Sequence, residues 1–144
     1  MLTMDNKFQQ LLKLKKLRST ALRLLVLKTL AGQKSITSLF HLRKAVEKSQ
    51  RISLYRTLKI FQESGLVHSI SDGTRFPKYG LNYNLRDFSI YQSNHPHFHC
   101  NVCELTYCFP KLRTPDIEPP EGFQKMQTSL LLNGICPECL TETR

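Results

Sequence analysis

Several marks of an enzyme or an exported protein are missing from this 144-residue chain. There is no GxSxG turn to expose a nucleophilic serine and no glycine-rich loop to cradle a phosphate. None of the five histidines is followed two residues later by glutamate, the pairing that zinc deaminases use to move a proton. No enzymatic function is expected. No apolar run approaches the roughly 20 residues of a membrane helix. The segment FQQLLKLKKLRST breaks its apolar residues with Lys13, Lys15, Lys16 and Arg18 before the core of a signal peptide can form. A cytoplasmic protein is expected, with neither a membrane nor a small-molecule substrate as partner. Acidic residues are also scarce.

Eleven Asp+Glu against 21 Lys+Arg leave a formal net charge of +10. That excess is the electrostatic footprint of a nucleic-acid binder, with an anionic membrane surface the rival on charge alone. With 40% hydrophobic residues the chain can still build a core.

The residues that are present fall into two halves. From Lys7 to about Ser64 apolar residues recur at helical spacing, and after Gly65 β-branched residues, aromatics and prolines take over in short alternating runs. A first helix is expected over Lys7 to Leu17, with Phe8, Leu11, Leu12 and Leu14 inward. Thr20 can cap a second, with Leu22, Leu25, Val26 and Leu30 buried and Gly32 at its end. Ser35 or Thr37 can start a third, with Leu39, Leu42 and Val46 on one side. In RISLYRTLKIFQESG, Ser53 is the expected N-cap, Leu54, Leu58 and Phe61 the apolar stripe, and Gly65 the stop, while Arg56 and Lys59 point away from the stripe. LVHSI, the Asp72-Gly73 turn and RFPKYGLNYNL then read as a hairpin, irregular at Pro77 and Gly80. Helices ending in a basic one, followed by a hairpin, are the order of a winged helix-turn-helix. A helix bundle carrying an incidental hairpin is the alternative.

In the second half, HFHCNV, LTYCF and QTSLLLNG read as three short strands around the proline-rich KLRTPDIEPPEG. The stretch HPHFHCNVC concentrates three histidines and two cysteines. Cys100 and Cys103 form one CxxC pair, Cys136 and Cys139 another, the spacing at which two thiolates of one turn reach adjacent corners of a tetrahedral ion. Four soft sulfurs suit Zn²⁺, leave no coordination position open, and define a structural site, one per chain. Disulfide pairing is the alternative, at odds with a reducing cytosol. Cys108 lies outside both pairs and is expected to be a buried small hydrophobe, with a redox or ligand role the alternative.

Together these residues resemble the ferric-uptake-regulator (Fur) family of metal-responsive bacterial repressors over nearly the whole chain. LRSTALRLLVL, ISLYRTLKIFQESGLV, HPHFHCNVC and GICPEC carry the likeness. The resemblance implies an α+β protein, with an N-terminal winged-helix DNA-binding domain over 1–86 and a C-terminal α/β dimerisation and zinc-binding domain over 87–144. It implies a homodimer that acts on a double-stranded palindromic operator. It assigns DNA contacts to Tyr55 and Arg56 of the recognition helix and to Arg18. Arg23 and Lys59 are added from charge and position, chiefly as phosphate contacts. For Tyr55 the alternative is packing beside Leu58.

Where the chain departs from the family, metal sensing is in question. His95 and His97 match two ligands of the family's hinge site and are candidates for a second divalent metal. The expected glutamate falls on Asn84 and the expected first histidine near Lys34. At the other sensory site the ligands fall on Asn94, Pro96 and Thr128, with Asp116, Glu118 and Glu121 as substitute carboxylates. His41 and His68 are expected to be solvated or near the DNA backbone, and His99 to face away from Phe98. The expected protein is therefore a sequence-specific regulator, a repressor by resemblance, with an atypical or degenerate sensing site. The alternative from another class is a zinc-stapled interaction module whose basic surface serves RNA or a protein partner.

Overall fold

The computed structural model describes residues 3–32, 35–84, 87–91 and 95–142. It separates into two compact units, residues 1–90 and 91–144.

The N-terminal unit begins with α1 (Met4–Leu14), capped by Thr3, whose hydroxyl accepts from the Asn6 N–H. The helix starts and ends three residues earlier than its apolar spacing suggests. It stops because Lys16 adopts a left-handed conformation (φ 57°) and the Leu17 N–H returns to the Leu12 carbonyl. This is a Schellman stop made without the usual glycine. Leu14, expected inward, is consequently exposed, whereas Phe8, Leu11 and Leu12 are fully buried. In α2 (Ala21–Ala31) the Thr20 side chain accepts from the Arg23 N–H, as its position before the helix predicts.

The residues expected to open the third helix do something else. Thr37 and Ser38 form a short strand, β1 (Thr37–Ser38), and Ser38 caps α3 (Leu39–Ala45) by accepting from the His41 N–H. A single 3-10 turn (Lys48–Gln50) leads into α4 (Arg51–Glu63), which begins two residues before Ser53 and has no side-chain cap. Ser53 therefore lies inside the helix. The other end follows the sequence closely. Gly65 takes φ +78°, its N–H bonds the Gln62 carbonyl, and the Leu66 N–H bonds the Phe61 carbonyl. That motif turns the chain straight into β2 (Val67–Ile70), which pairs antiparallel with β3 (Lys78–Leu81). With β1 the sheet has the order β1-β3-β2. One core, made of Phe8, Leu11, Leu12, Leu27, Leu42, Leu54, Leu58 and Phe61 with neighbours, holds the helices to this sheet.

The turn between β2 and β3 is anchored from inside. The Asp72 carboxylate accepts from the Thr74 N–H and pairs with Lys78 Nζ at 2.7 Å, both side chains nearly or fully excluded from solvent.

The C-terminal unit is a small sheet of β4 (His97–Cys100), β5 (Thr106–Cys108) and β6 (Leu131–Gly134), in the order β5-β4-β6. β5 runs antiparallel to β4, and β6 parallel. A short helix, α5 (Pro137–Glu142), follows; sequence reading missed it because Cys136–Cys139 was read only as a metal turn.

Candidate metal centre and nucleic-acid interface

Alternation along one strand separates the chemistry of the C-terminal unit. Successive side chains of β4 point to opposite faces. Phe98 and Cys100 therefore share one face, and His95, His97 and His99 the other.

On the first face the ligand atoms of Cys100, Cys103, Cys136 and Cys139 lie within 4.8 Å of one another. Cys103 Sγ is 3.8 Å from Cys136 Sγ, and the Cys136 N–H donates to Cys100 Sγ at 3.3 Å. The parallel pairing of Cys100 with Gly134 brings the two CxxC turns together, and Phe98 and Tyr107 pack against the sulfurs. Gly134 is small because the Phe98 ring lies over it, 3.1 Å from where a Cβ would stand.

The electrostatics fit a cation among the sulfurs. Backbone N–H groups, that of Cys103 first, pull the Cys100 thiol down to about 6 in spite of its burial. Its neighbour Cys139 is pushed far up, chiefly by the Cys136 side chain facing it. Four sulfurs this close cannot all ionise against one another, and a divalent ion removes the conflict by deprotonating and binding all four. The donor set, soft and tetrahedral in number, is that of structural Zn²⁺. None of the five cysteines forms a disulfide.

On the opposite face β4 and β5 set His97 directly across from Cys108. The ladder continues past the strand, since the Pro96 carbonyl accepts from the Phe109 N–H, and His95 lies two residues from His97 on the same side. The ligand atoms of His95, His97 and Cys108 lie within 4.8 Å of one another, and the two imidazole centroids are 4.6 Å apart. Cys108, expected as a buried small hydrophobe, stands beside two imidazoles. It is half-buried, burial pushes its thiol up to about 12, and its sulfur faces two imidazoles. His99, next along the face, is held by Thr106 Oγ1 at 2.9 Å.

Other expected ligands are engaged elsewhere. Asp116 and Glu118 both bind Lys125 Nζ, the second at 3.3 Å. Glu121 is exposed and Thr128 half-buried. The Asn84 N–H donates to the Ser89 carbonyl. Lys34 and Asn94 lie outside the described residues. His41 is exposed, and His68, half-buried on β2, brings its Nδ1 to 2.5 Å from Asn82 Oδ1.

In the N-terminal unit α4 buries Leu54, Thr57, Leu58 and Phe61. Its opposite face exposes Ile52, Tyr55, Arg56 and Lys59, spaced i, i+3, i+4 and i+7. Tyr55 is 42% exposed, outside the buried stripe that holds Leu58. Ile52, at 68%, was missed because an isoleucine in an apolar pattern reads as core. Arg18 is exposed beside a cleft of about 580 Å³ lined also by Gln9, Lys13, Lys16, Leu17 and Ser19. Arg23 is half-buried, and its Nη1 donates to the Arg18 carbonyl at 2.8 Å, which orders the corner between α1 and α2. A second basic cleft, about 340 Å³, lies between Arg43, Lys44, Arg51 and Arg75 around the stacked rings of Phe40 and Phe76.

Helices that end in an exposed basic one, followed by a two-stranded wing, and a separate sheet closed by four cysteines define a winged-helix protein with a structural zinc centre. The profile of the ferric uptake regulator family matches residues 14–122, and the chain belongs to that family of metal-responsive regulators. Among solved structures, a zinc uptake regulator complexed with zinc and DNA is 20% identical, with TM-score 0.67 and 99% of each chain covered. The Vibrio cholerae ferric uptake regulator is 22% identical, with TM-score 0.58, 89% of this chain and 98% of that one covered. The Helicobacter pylori ferric uptake regulator, described as having three functional metal binding sites, is 15% identical, with TM-score 0.59, 96% of this chain and 95% of that one covered. No curated protein matches by sequence. Among the described residues no helix is long and apolar enough to cross a membrane.

Proposed function

We propose that the protein is a cytoplasmic, homodimeric, sequence-specific DNA-binding repressor with an atypical metal-sensing site. One observation carries the reading: α4 directs Ile52, Tyr55, Arg56 and Lys59 outward from a wholly buried opposite face, in a unit whose excess charge is positive. Tyr55 and Arg56 read base edges in the major groove, while Lys59 and Arg18 take phosphates. Arg23 acts through the Arg18 carbonyl, as a positioning residue. The zinc uptake regulator bound to DNA, alike along the full chain, supports this arrangement.

Residues 1–86 then serve as the DNA-binding domain and 87–144 as the dimerisation domain. Exposed Phe123, Met126, Leu132 and Ile135 supply apolar surface for self-association. The four-cysteine zinc leaves no open position and takes part in no reaction. His95 and His97 are ligands of the second metal.

Titration of duplex DNA against single-stranded RNA by gel shift tests the reading. The protein should prefer duplex DNA, and Arg56→Ala should weaken operator binding by ~1–3 kcal/mol. RNA preference, or unchanged operator affinity in that variant, would overturn it.

A further inference from the structure

Three residues on one face of the β4-β5 pair bear on which metal the protein answers to. For His95 and His97, the positions expected to complete the family's hinge site carry Asn84 and Lys34. The antiparallel register supplies a different partner. Cys108 is the cross-strand neighbour of His97, and cross-strand neighbours have side chains close enough to share a ligand. Its sulfur and the two imidazole nitrogens already lie within 4.8 Å of one another, so a shift of about an ångström draws them onto bonds of roughly 2.0–2.3 Å.

We propose that His95, His97 and Cys108 form a second metal site, of two nitrogens and one sulfur, selective for a borderline-soft divalent cation of the zinc class over manganese or ferrous iron. The inference rests on the regulator reading above and assigns the signal to it. A thiolate in the donor set changes the selectivity: carboxylate and water oxygens suit hard cations, whereas sulfur favours zinc. A mixed set of nitrogen and sulfur donors differs from the four-sulfur site, whose ion is closed to further ligands. On binding, the Cys108 thiol releases its proton to solvent and its sulfur bonds the metal, with no change of oxidation state. The two sites stay separate because they occupy opposite faces of β4.

Cobalt(II) added to the full chain, with its structural zinc retained and verified by elemental analysis, reads the site directly. One further equivalent per chain should bind and produce a sulfur-to-cobalt charge-transfer band in the near ultraviolet. Zinc should displace it, and manganese should not. In Cys108→Ala the band should vanish and affinity should fall on the order of 100-fold or more, at unchanged far-ultraviolet circular dichroism. His97→Gln should weaken binding comparably while the wild-type spectrum reports the sulfur without any substitution. No further cobalt, cobalt bound without the sulfur band, or manganese bound as tightly as zinc would each overturn the proposal. Arg56→Ala tests DNA binding independently, so a protein that binds its operator but no second metal sinks this inference alone.

Discussion

Asp72 has two roles at once. In the sequence it is half of an Asp-Gly turn, and in the structure its carboxylate also neutralises the buried Lys78 ammonium. Removing one partner of a buried pair leaves the other charged and desolvated, which costs far more than an exposed pair is worth. Asp72→Ala should therefore destabilise the N-terminal unit by about 3–5 kcal/mol in denaturant unfolding, and Asp72→Asn, which keeps an acceptor for Thr74, by somewhat less. A loss below 1 kcal/mol would mean that the ammonium finds water. Cys108 makes the same point about single residues. Its spacing from the CxxC pairs says nothing about its neighbours, and only pairing with His97 does.

At the scale of elements, the small residues mark close approaches that the pattern of apolar residues cannot reveal. Gly80 on β3 pairs with His68, and a Cβ there would meet His68 Cε1 and Ile36 Cγ2, each at 2.8 Å. Gly80→Ala should cost about 1–3 kcal/mol and break the His68–Asn82 contact, visible as a change in the His68 ring signals in a proton–nitrogen spectrum. An unperturbed ring would show that Ile36 alone gives way. The helices were legible where periodicity and stops agreed: Thr20 before α2, Gly65 after α4, and the buried Leu54, Leu58 and Phe61 all follow from local rules. They were misread where the stop was made by an unusual residue, as at Lys16, or where a start had no side-chain cap, as at Arg51. Neither case leaves a compositional trace.

For the whole molecule, the two units rest on different physics. The N-terminal unit has a large apolar core, whereas the C-terminal unit's core consists of Cys100, Cys136 and Cys139 with Phe98 and Tyr107 against them. Structural zinc contributes apparent free energies on the order of 10 kcal/mol or more, so its removal should unfold the second unit first. After strong chelation, hydrogen exchange should lose protection over 97–100, 106–108 and 131–134 while α1, α2 and α4 keep theirs. Equal loss in both units would refute the separation.

Several properties were determined by the sequence alone: the helical first half, the wing, the basic surplus and the four-sulfur zinc site. Each depends on residues near one another in the chain or on composition summed over it. The tertiary structure alone decided that HPHFHCNVC faces two ways, with Cys100 turned to the zinc and His95 and His97 to Cys108. It also decided that Asp72 is half of a buried ion pair and that Arg23 braces Arg18. These outcomes depend on strand register and on side chains meeting across elements, and neither spacing nor residue type records which strand lies beside which.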